Sequence, residues 1–244
     1  MNDQVLRFSG AEDLAEQAAA LLVARIVAIQ ADPERVVQLC LTGGRIAQRI
    51  YEGFGRRVDG SGVDPGRLEL WWTDERFTST DDPARHAGVA LAMMAGQFAL
   101  DPARTHPMPS ADGVADADAA AATYTKELGD VVFDICLLSI GPEGHVASIF
   151  PDHPSFDPQS GQTVIGLTDS PKGEDDRVSL TVPALNRSHE VWFLLSGLDK
   201  ADVAASAIAG CAEIPAGVVR GADDTLWFID RDAAAELPWF HCAL

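Results

Sequence analysis

Apolar and polar positions alternate in blocks along the chain, and the blocks change period. Ser9 and Glu12 read as a capping box ahead of an Ala/Leu-rich helix, roughly Ala11 to Ile29. "VVQLCLTGG" is a continuous apolar run, the pattern of a buried strand, stopped by Gly43 and Gly44. "IAQRIYEGF" returns to helical spacing, and "GSGVDPG" is a loop. "RLELWWTDER" predicts one strand running into charge at Asp74, Glu75 and Arg76. Helices are expected over "ARHAGVALAMMAGQFA" and "VADADAAAATYTKEL", the second acidic at its start as the helix dipole favours. A second apolar run, Phe133 to Ile140, is a strand that ends at Gly141.

After Pro151 the texture changes. "PDHPSFDPQSG" and "TDSPKGEDDR" are Pro-, Gly- and Asp-rich loops around a short strand at "TVIGL". "RVSLTV" and "EVWFLLSG" are strands, "DKADVAASAIAG" a helix, "TLWFID" a last strand and "RDAAAEL" a short final helix. Strands alternating with helices predict an α/β fold: a Rossmann-like, mostly parallel sheet flanked by helices, with a small loop-rich lobe, in a single domain over residues 1–244.

Composition narrows the function. The 244 residues are 47% hydrophobic and 23% charged, as expected of a soluble globular chain. A net charge of −19 leaves no basic stripe to neutralise the phosphates of a nucleic acid, and it opposes an anionic membrane surface. A small anionic substrate would need a local basic pocket. "MNDQVLRFSG" lacks the basic start and apolar core of a signal peptide, and no apolar stretch is long enough to span a bilayer. Cys40, Cys136, Cys211 and Cys242 contain no C-x-x-C pair; Cys40 and Cys136 sit inside apolar strand-like runs, so buried thiols are expected there, and a cytoplasmic location is the simplest.

In parallel sheets, ligands bind beyond the carboxyl ends of the strands. Three such ends carry unusual residues. "LTGGR" is either a plain tight turn or an anion cradle, because two glycines let the backbone approach an anion at a helix N-terminus. Asp74, Glu75 and Arg76 are either a solvated charge cluster or a binding group. "GPEGHVASIFP" holds Glu143 and His145 between Gly141 and Gly144. A histidine there suits proton transfer near neutral pH, and the carboxylate can fix its tautomer. The alternative is a solvent-facing loop histidine. Arg177 opens a strand, and Lys200 stands at a helix start, where a cation is more understandable if an anion sits there too. Glu143, His145, Asp152 and His153 match no familiar zinc spacing, so no metal or cofactor is expected.

Taken in order, "LTGGR", "TDERF…DDPARH", "GPEGHVASIFP" and "RVSLTVPALNRSHEVWFLLSGLDKA" resemble the 6-phosphogluconolactonases, which share a Rossmann-like fold with the glucosamine-6-phosphate deaminases. The resemblance spans nearly the whole chain. It implies hydrolysis of 6-phospho-D-glucono-1,5-lactone in the oxidative pentose phosphate pathway. It implies that His145 activates water, with Glu143 as the carboxylate beside it. It also implies that Gly43, Gly44, Arg45, Asp74, Arg76, Arg177 and Lys200 meet the sugar phosphate. A monomer or weak homodimer is expected. Three positions depart from the family pattern: Glu143 stands where Asp is usual, Arg45 where Ser or Thr is frequent, and His86 where Asn is frequent. Two other functions remain open here. A deaminase typically carries Glu where this chain has Phe150, and an apolar ring cannot shuttle protons. A non-catalytic sugar-phosphate sensor has no need of a base at His145.

Overall fold

The computed structural model describes residues 2–95, 100–173 and 175–238. Among the described residues nine strands follow one another: β1 (Asn2–Phe8), β2 (Val37–Leu41), β3 (Leu68–Trp72), β4 (Asp74–Arg76), β5 (Ile135–Ser139), β6 (Val164–Leu167), β7 (Arg177–Leu180), β8 (Glu190–Leu195) and β9 (Asp224–Asp230). The helices are α1 (Ala11–Gln30), α2 (Arg45–Val58), α3 (His86–Ala95), α4 (Ala117–Leu128), α5 (Val182–Asn186), α6 (Ala201–Ile208) and α7 (Pro215–Val218). The predicted helix "ARHAGVALAMMAGQFA" ends beyond α3 in residues 96–99, outside the described ones.

Six strands form one parallel sheet in the order β1-β9-β8-β5-β2-β3. Both faces are buried, which is why the central strands read as unbroken apolar runs. Successive side chains of one strand enter different layers. Leu39 and Leu41 pack with Leu22, Ile26 and Phe54 of α1 and α2, whereas Cys40 joins Tyr124 and Ala120 of α4. Trp71 and Trp72 divide in the same way. Trp72, Trp192 and Trp227 are fully buried. Aromatic side chains of this class remove roughly 150–250 Å² each from water, worth about 4–6 kcal/mol apiece on a surface-area basis.

The expected single strand over "RLELWWTDER" is two strands in two sheets. Thr73 is the pivot. Its N–H donates to Leu41 O at 2.8 Å, closing the β3 edge of the large sheet, and its carbonyl accepts from Leu180 N at 2.8 Å, opening the small one. β4, β7 and β6 then form an antiparallel three-stranded sheet in the order β4-β7-β6. This is the smaller lobe, and it carries Asp74, Arg76 and Arg177 past the ends of the parallel strands.

Two local expectations are corrected, and one strand is added to those expected. The N-cap of α1 is Gly10, not Ser9; Ser9 donates through its N and Oγ to Asp13 Oδ2 at 3.0 and 2.9 Å, so the capping carboxylate is Asp13 rather than Glu12. The N-terminal segment is a strand, β1, paired with β9 from Asn2↔Asp224 to Phe8↔Asp230. "RDAAAEL" forms turns rather than a helix. Asp230 holds it by accepting from Ala233 N at 2.9 Å and Ala234 N at 2.9 Å, and seven residues before Pro238 give too few bonds to offset helix nucleation.

Candidate functional site

The carboxyl end of β2 leads straight into α2. Tyr51 clamps the exit, its hydroxyl donating to Thr42 O at 2.7 Å and accepting from Thr42 N at 2.9 Å. Gly44 is the N-cap of α2 at φ +111°, a left-handed conformation that disfavours any side chain, and a Cβ there would lie 2.9 Å from Ser139 Oγ. Ser139, at the end of β5, donates that hydroxyl to Gly43 O at 2.8 Å. Gly44 has no side chain with which to cap the helix, and among the described residues no side-chain cap is made, so the first N–H groups of α2 are available to a ligand or solvent.

The β5 exit is tighter. Gly141 N donates to His145 O at 2.9 Å and Gly144 N to Gly141 O at 3.0 Å, with Gly144 at φ +94°. The loop folds the imidazole back over Gly141 so closely that a Cβ there would overlap Nδ1 of His145. That Nδ1 lies 3.0 Å from Glu143 Oε1. Lys172, from the loop ahead of β7, places Nζ 3.0 Å from the same oxygen and 3.4 Å from Nδ1. Burial of the ring, and next the Lys172 charge, push the His145 pKa below its ordinary value, with Glu143 pulling the other way. Burial works to raise the Glu143 pKa, but a backbone N–H, Lys172 and His145 outweigh it and hold it low. With Nδ1–H donating to Glu143, Nε2 keeps its lone pair.

β4 contributes a buried ion group. Asp74 is 4% exposed; its Oδ2 accepts from Ser148 Oγ at 2.8 Å, and its Oδ1 lies 3.5 Å from Nδ1 of His86. Burial would raise the Asp74 pKa, but the charge and hydrogen bonds of His86, Ser148 and Arg177 hold it down to about 2. Glu75 points elsewhere. Wholly buried, it accepts from His86 N and Ala87 N at 2.8 and 2.9 Å and faces Arg85 at 3.7 Å, so it fixes the start of α3. Arg76 is half-buried, 3.9 Å from Asp175. Arg177 is buried, donates from Nη2 to Lys172 O at 2.7 Å and leaves a buried Nε without a partner. Lys200 lies 3.4 Å from Asp199, and burial pushes its pKa down.

Gly43, Gly44, Arg45, Asp74, Arg76, His145, Arg177 and Lys200 all line one cavity of about 750 Å³ at the carboxyl ends of the parallel strands. Glu143 stands beside it, reaching the cavity through His145. Phe150 lines the same wall, its ring centroid 5.0 Å from that of His145. His153 turns to Ser155, its Nδ1 2.9 Å from the Ser155 hydroxyl. Sequence reasoning missed Lys172, Ser139 and Ser148, which share the cavity. Ser139 lay inside a predicted strand, and Lys172 in a loop with no periodic signal. In a chain of charge −19, this cavity gathers Arg45, Arg49, Arg76, Lys172, Arg177 and Lys200. It suits a small anion held beside a base.

The family model described as glucosamine-6-phosphate isomerases/6-phosphogluconolactonase matches residues 9–227. A 6-phosphogluconolactonase of Streptomyces coelicolor is 41% identical over 241 residues, covering 93% of this chain and 92% of that protein. The structure of 6-phosphogluconolactonase from Thermotoga maritima superposes with a TM-score of 0.82 at 22% identity, covering 94% of this chain and 100% of that one. A monomeric glucosamine-6-phosphate deaminase superposes with a TM-score of 0.79 at 22% identity over 96% of this chain and 99% of that one, so both activities share this fold.

Proposed function

The chain belongs to the glucosamine-6-phosphate isomerase/6-phosphogluconolactonase family, and from that premise we propose that it is the lactonase, hydrolysing 6-phospho-D-glucono-1,5-lactone to 6-phosphogluconate with water activated by His145. The observation that carries this is the His145–Glu143 pair at 3.0 Å, with burial and Lys172 both disfavouring the imidazolium, at the wall of a cation-lined cavity.

Water held by Nε2 of His145 attacks the lactone carbonyl carbon and gives its proton to that nitrogen. Glu143 keeps Nδ1–H in place and stabilises the imidazolium that forms. The tetrahedral intermediate carries its negative charge on the former carbonyl oxygen, which needs donors or a cation nearby. When it collapses, the bond to the ring oxygen breaks and that oxygen takes the proton back from His145. The product is the open-chain acid, and the base is regenerated. The phosphate is anchored by the Gly43-Gly44-Arg45 turn at the start of α2, by Arg177 and by Lys200. The unpartnered Nε of buried Arg177 supports this, because a desolvated guanidinium gains most from an anion. Asp74 and Arg76 line the same cavity, with Arg76 near the sugar or the phosphate.

Phe150 distinguishes the two activities that share the fold. Its ring flanks His145 where a deaminase would need a proton-carrying side chain. Lactone hydrolysis needs one base, and His145 supplies it. We place the reaction in the cytoplasm, which keeps buried thiols such as Cys40 and Cys136 reduced. The test is hydrolysis of freshly made lactone with and without the protein, at a pH where the spontaneous reaction is slow. The expected result is a protein-dependent rate well above the spontaneous one. No acceleration, together with turnover of glucosamine 6-phosphate, would select the deaminase instead.

A further inference from the structure

His86 occupies a place its packing alone does not require. Its backbone N–H is fixed by Glu75 at 2.8 Å, and Nδ1 lies 3.1 Å from the Asp74 carbonyl oxygen. These contacts hold the Nδ1 edge of the ring against β4. Its far end rests on the Gly43 backbone, so closely that a Cβ at Gly43 would overlap Nε2. The ring lines the cavity, and among the described residues Nε2 has no hydrogen-bond partner. A donor is therefore held at the Gly43-Gly44 turn with its outer nitrogen unused.

We propose that His86 is a specificity-determining residue of the phosphate site: its Nε2–H donates to a phosphate oxygen of the substrate beside Gly43 and Gly44. The inference rests on the lactonase reading for the identity of the sugar phosphate, and on the geometry of the turn for the place of the phosphate. An imidazole at this position can carry a charge, which a neutral amide cannot.

The groups around the ring set its charge. Asp74 and Glu75 face it from β4. Arg85 meets Glu75 from the start of α3, and Arg45, Arg49 and Arg177 line the same cavity. Burial works to lower the pKa of the ring, but the Asp74 charge and hydrogen bond, with help from Glu75, raise it to about 9. His86 is thus an imidazolium near neutral pH, while His145 is pushed the other way. Two histidines in one cavity are shifted in opposite directions: the surroundings of His145 disfavour its charged form, and those of His86 favour it.

The test is equilibrium binding of 6-phosphogluconate and of gluconate, read by tryptophan fluorescence or calorimetry, for the wild type and for His86→Asn. At about pH 7 the variant should bind 6-phosphogluconate roughly 10–100-fold more weakly, the size of one charged hydrogen bond, with gluconate binding unaltered. As pH rises through about 9 the wild type should lose more affinity for 6-phosphogluconate than the variant, since any alkaline loss from Lys200 is common to both. In turnover, the variant's defect should fall mainly on KM. Should His86→Asn fold poorly, ¹⁵N-labelled histidine in the wild type answers the same question: the His86 Nε2 resonance should move with 6-phosphogluconate and not with gluconate. Equal affinity of variant and wild type for 6-phosphogluconate, equal loss for both ligands, or an unmoved Nε2 resonance would overturn the proposal and leave the lactonase reading standing. A wild type that binds neither acid would overturn both.

Discussion

The ammonium of Lys172 stands 3.4 Å from Nδ1 of His145. A cation this close disfavours the imidazolium, and it adds to burial in pushing the histidine pKa down. A base must be unprotonated to accept the proton of water, so the Lys172 loop tunes the group it covers. The wild-type acid limb of kcat/KM should have its midpoint below the unperturbed histidine value of about 6.5. In Lys172→Met the penalty on the charged ring is removed, and Glu143 is left to pull the pKa up. The acid limb should therefore move to higher pH. A midpoint that stays put or moves down would show that the lysine does not act on the base.

Gly141 sets where the imidazole stands. A Cβ at this position would overlap Nδ1, so Gly141→Ala must shift either the ring or the loop. A displacement of about 1 Å in a catalytic group costs on the order of 10²-fold in rate. The variant should lose about that much in kcat while its far-UV circular dichroism matches the wild type, because the central strands are unaltered. A loss of only a few-fold would mean that the contact does not place the base.

The cation-lined cavity should demand a phosphate. Glucono-δ-lactone offers the same carbonyl without the anion, and kcat/KM for it should be lower than for the phosphorylated lactone. Arg177→Met removes one buried, charged contact, expected to cost roughly 1.5–3 kcal/mol of binding, or about 10–100-fold in KM. Equal kcat/KM for the two lactones in the wild type would remove the anchor from the mechanism.

Much of this site was legible because glycine and charge stood at the ends of apolar runs. Gly43, Gly44, Glu143 and His145 follow strands directly, and the rule for parallel sheets brought them to one edge. The Thr73 pivot was not legible, because "RLELWWTDER" keeps strand composition through the residue where the chain changes sheets. Of the three charges that follow, Asp74 and Arg76 reach the cavity and Glu75 turns inward to hold α3, a division that only the small sheet decides. Lys172 was invisible for a different reason. It lies in a Pro/Gly loop without periodic signal, which a hydrogen bond from Arg177 Nη2 to the Lys172 carbonyl holds against β7. β1 was missed because Asn2, Asp3 and Gln4 are polar, although the strand pairs along its whole length with β9. The alanines of "RDAAAEL" suggested a helix that Asp230 replaces with turns.

The central claim is that His145 activates the water. Glu143→Gln keeps a hydrogen-bonding group near Nδ1 and should cost less than loss of the imidazole itself. The most direct measurement is the steady-state kcat of His145→Asn on freshly made 6-phosphogluconolactone, corrected for spontaneous hydrolysis, beside its affinity for 6-phosphogluconate. With His145 as general base, kcat should fall by roughly 10²–10⁴, and affinity should change little, because the proposed phosphate contacts lie on other strand ends. A His145→Asn protein with near-normal kcat would contradict the account.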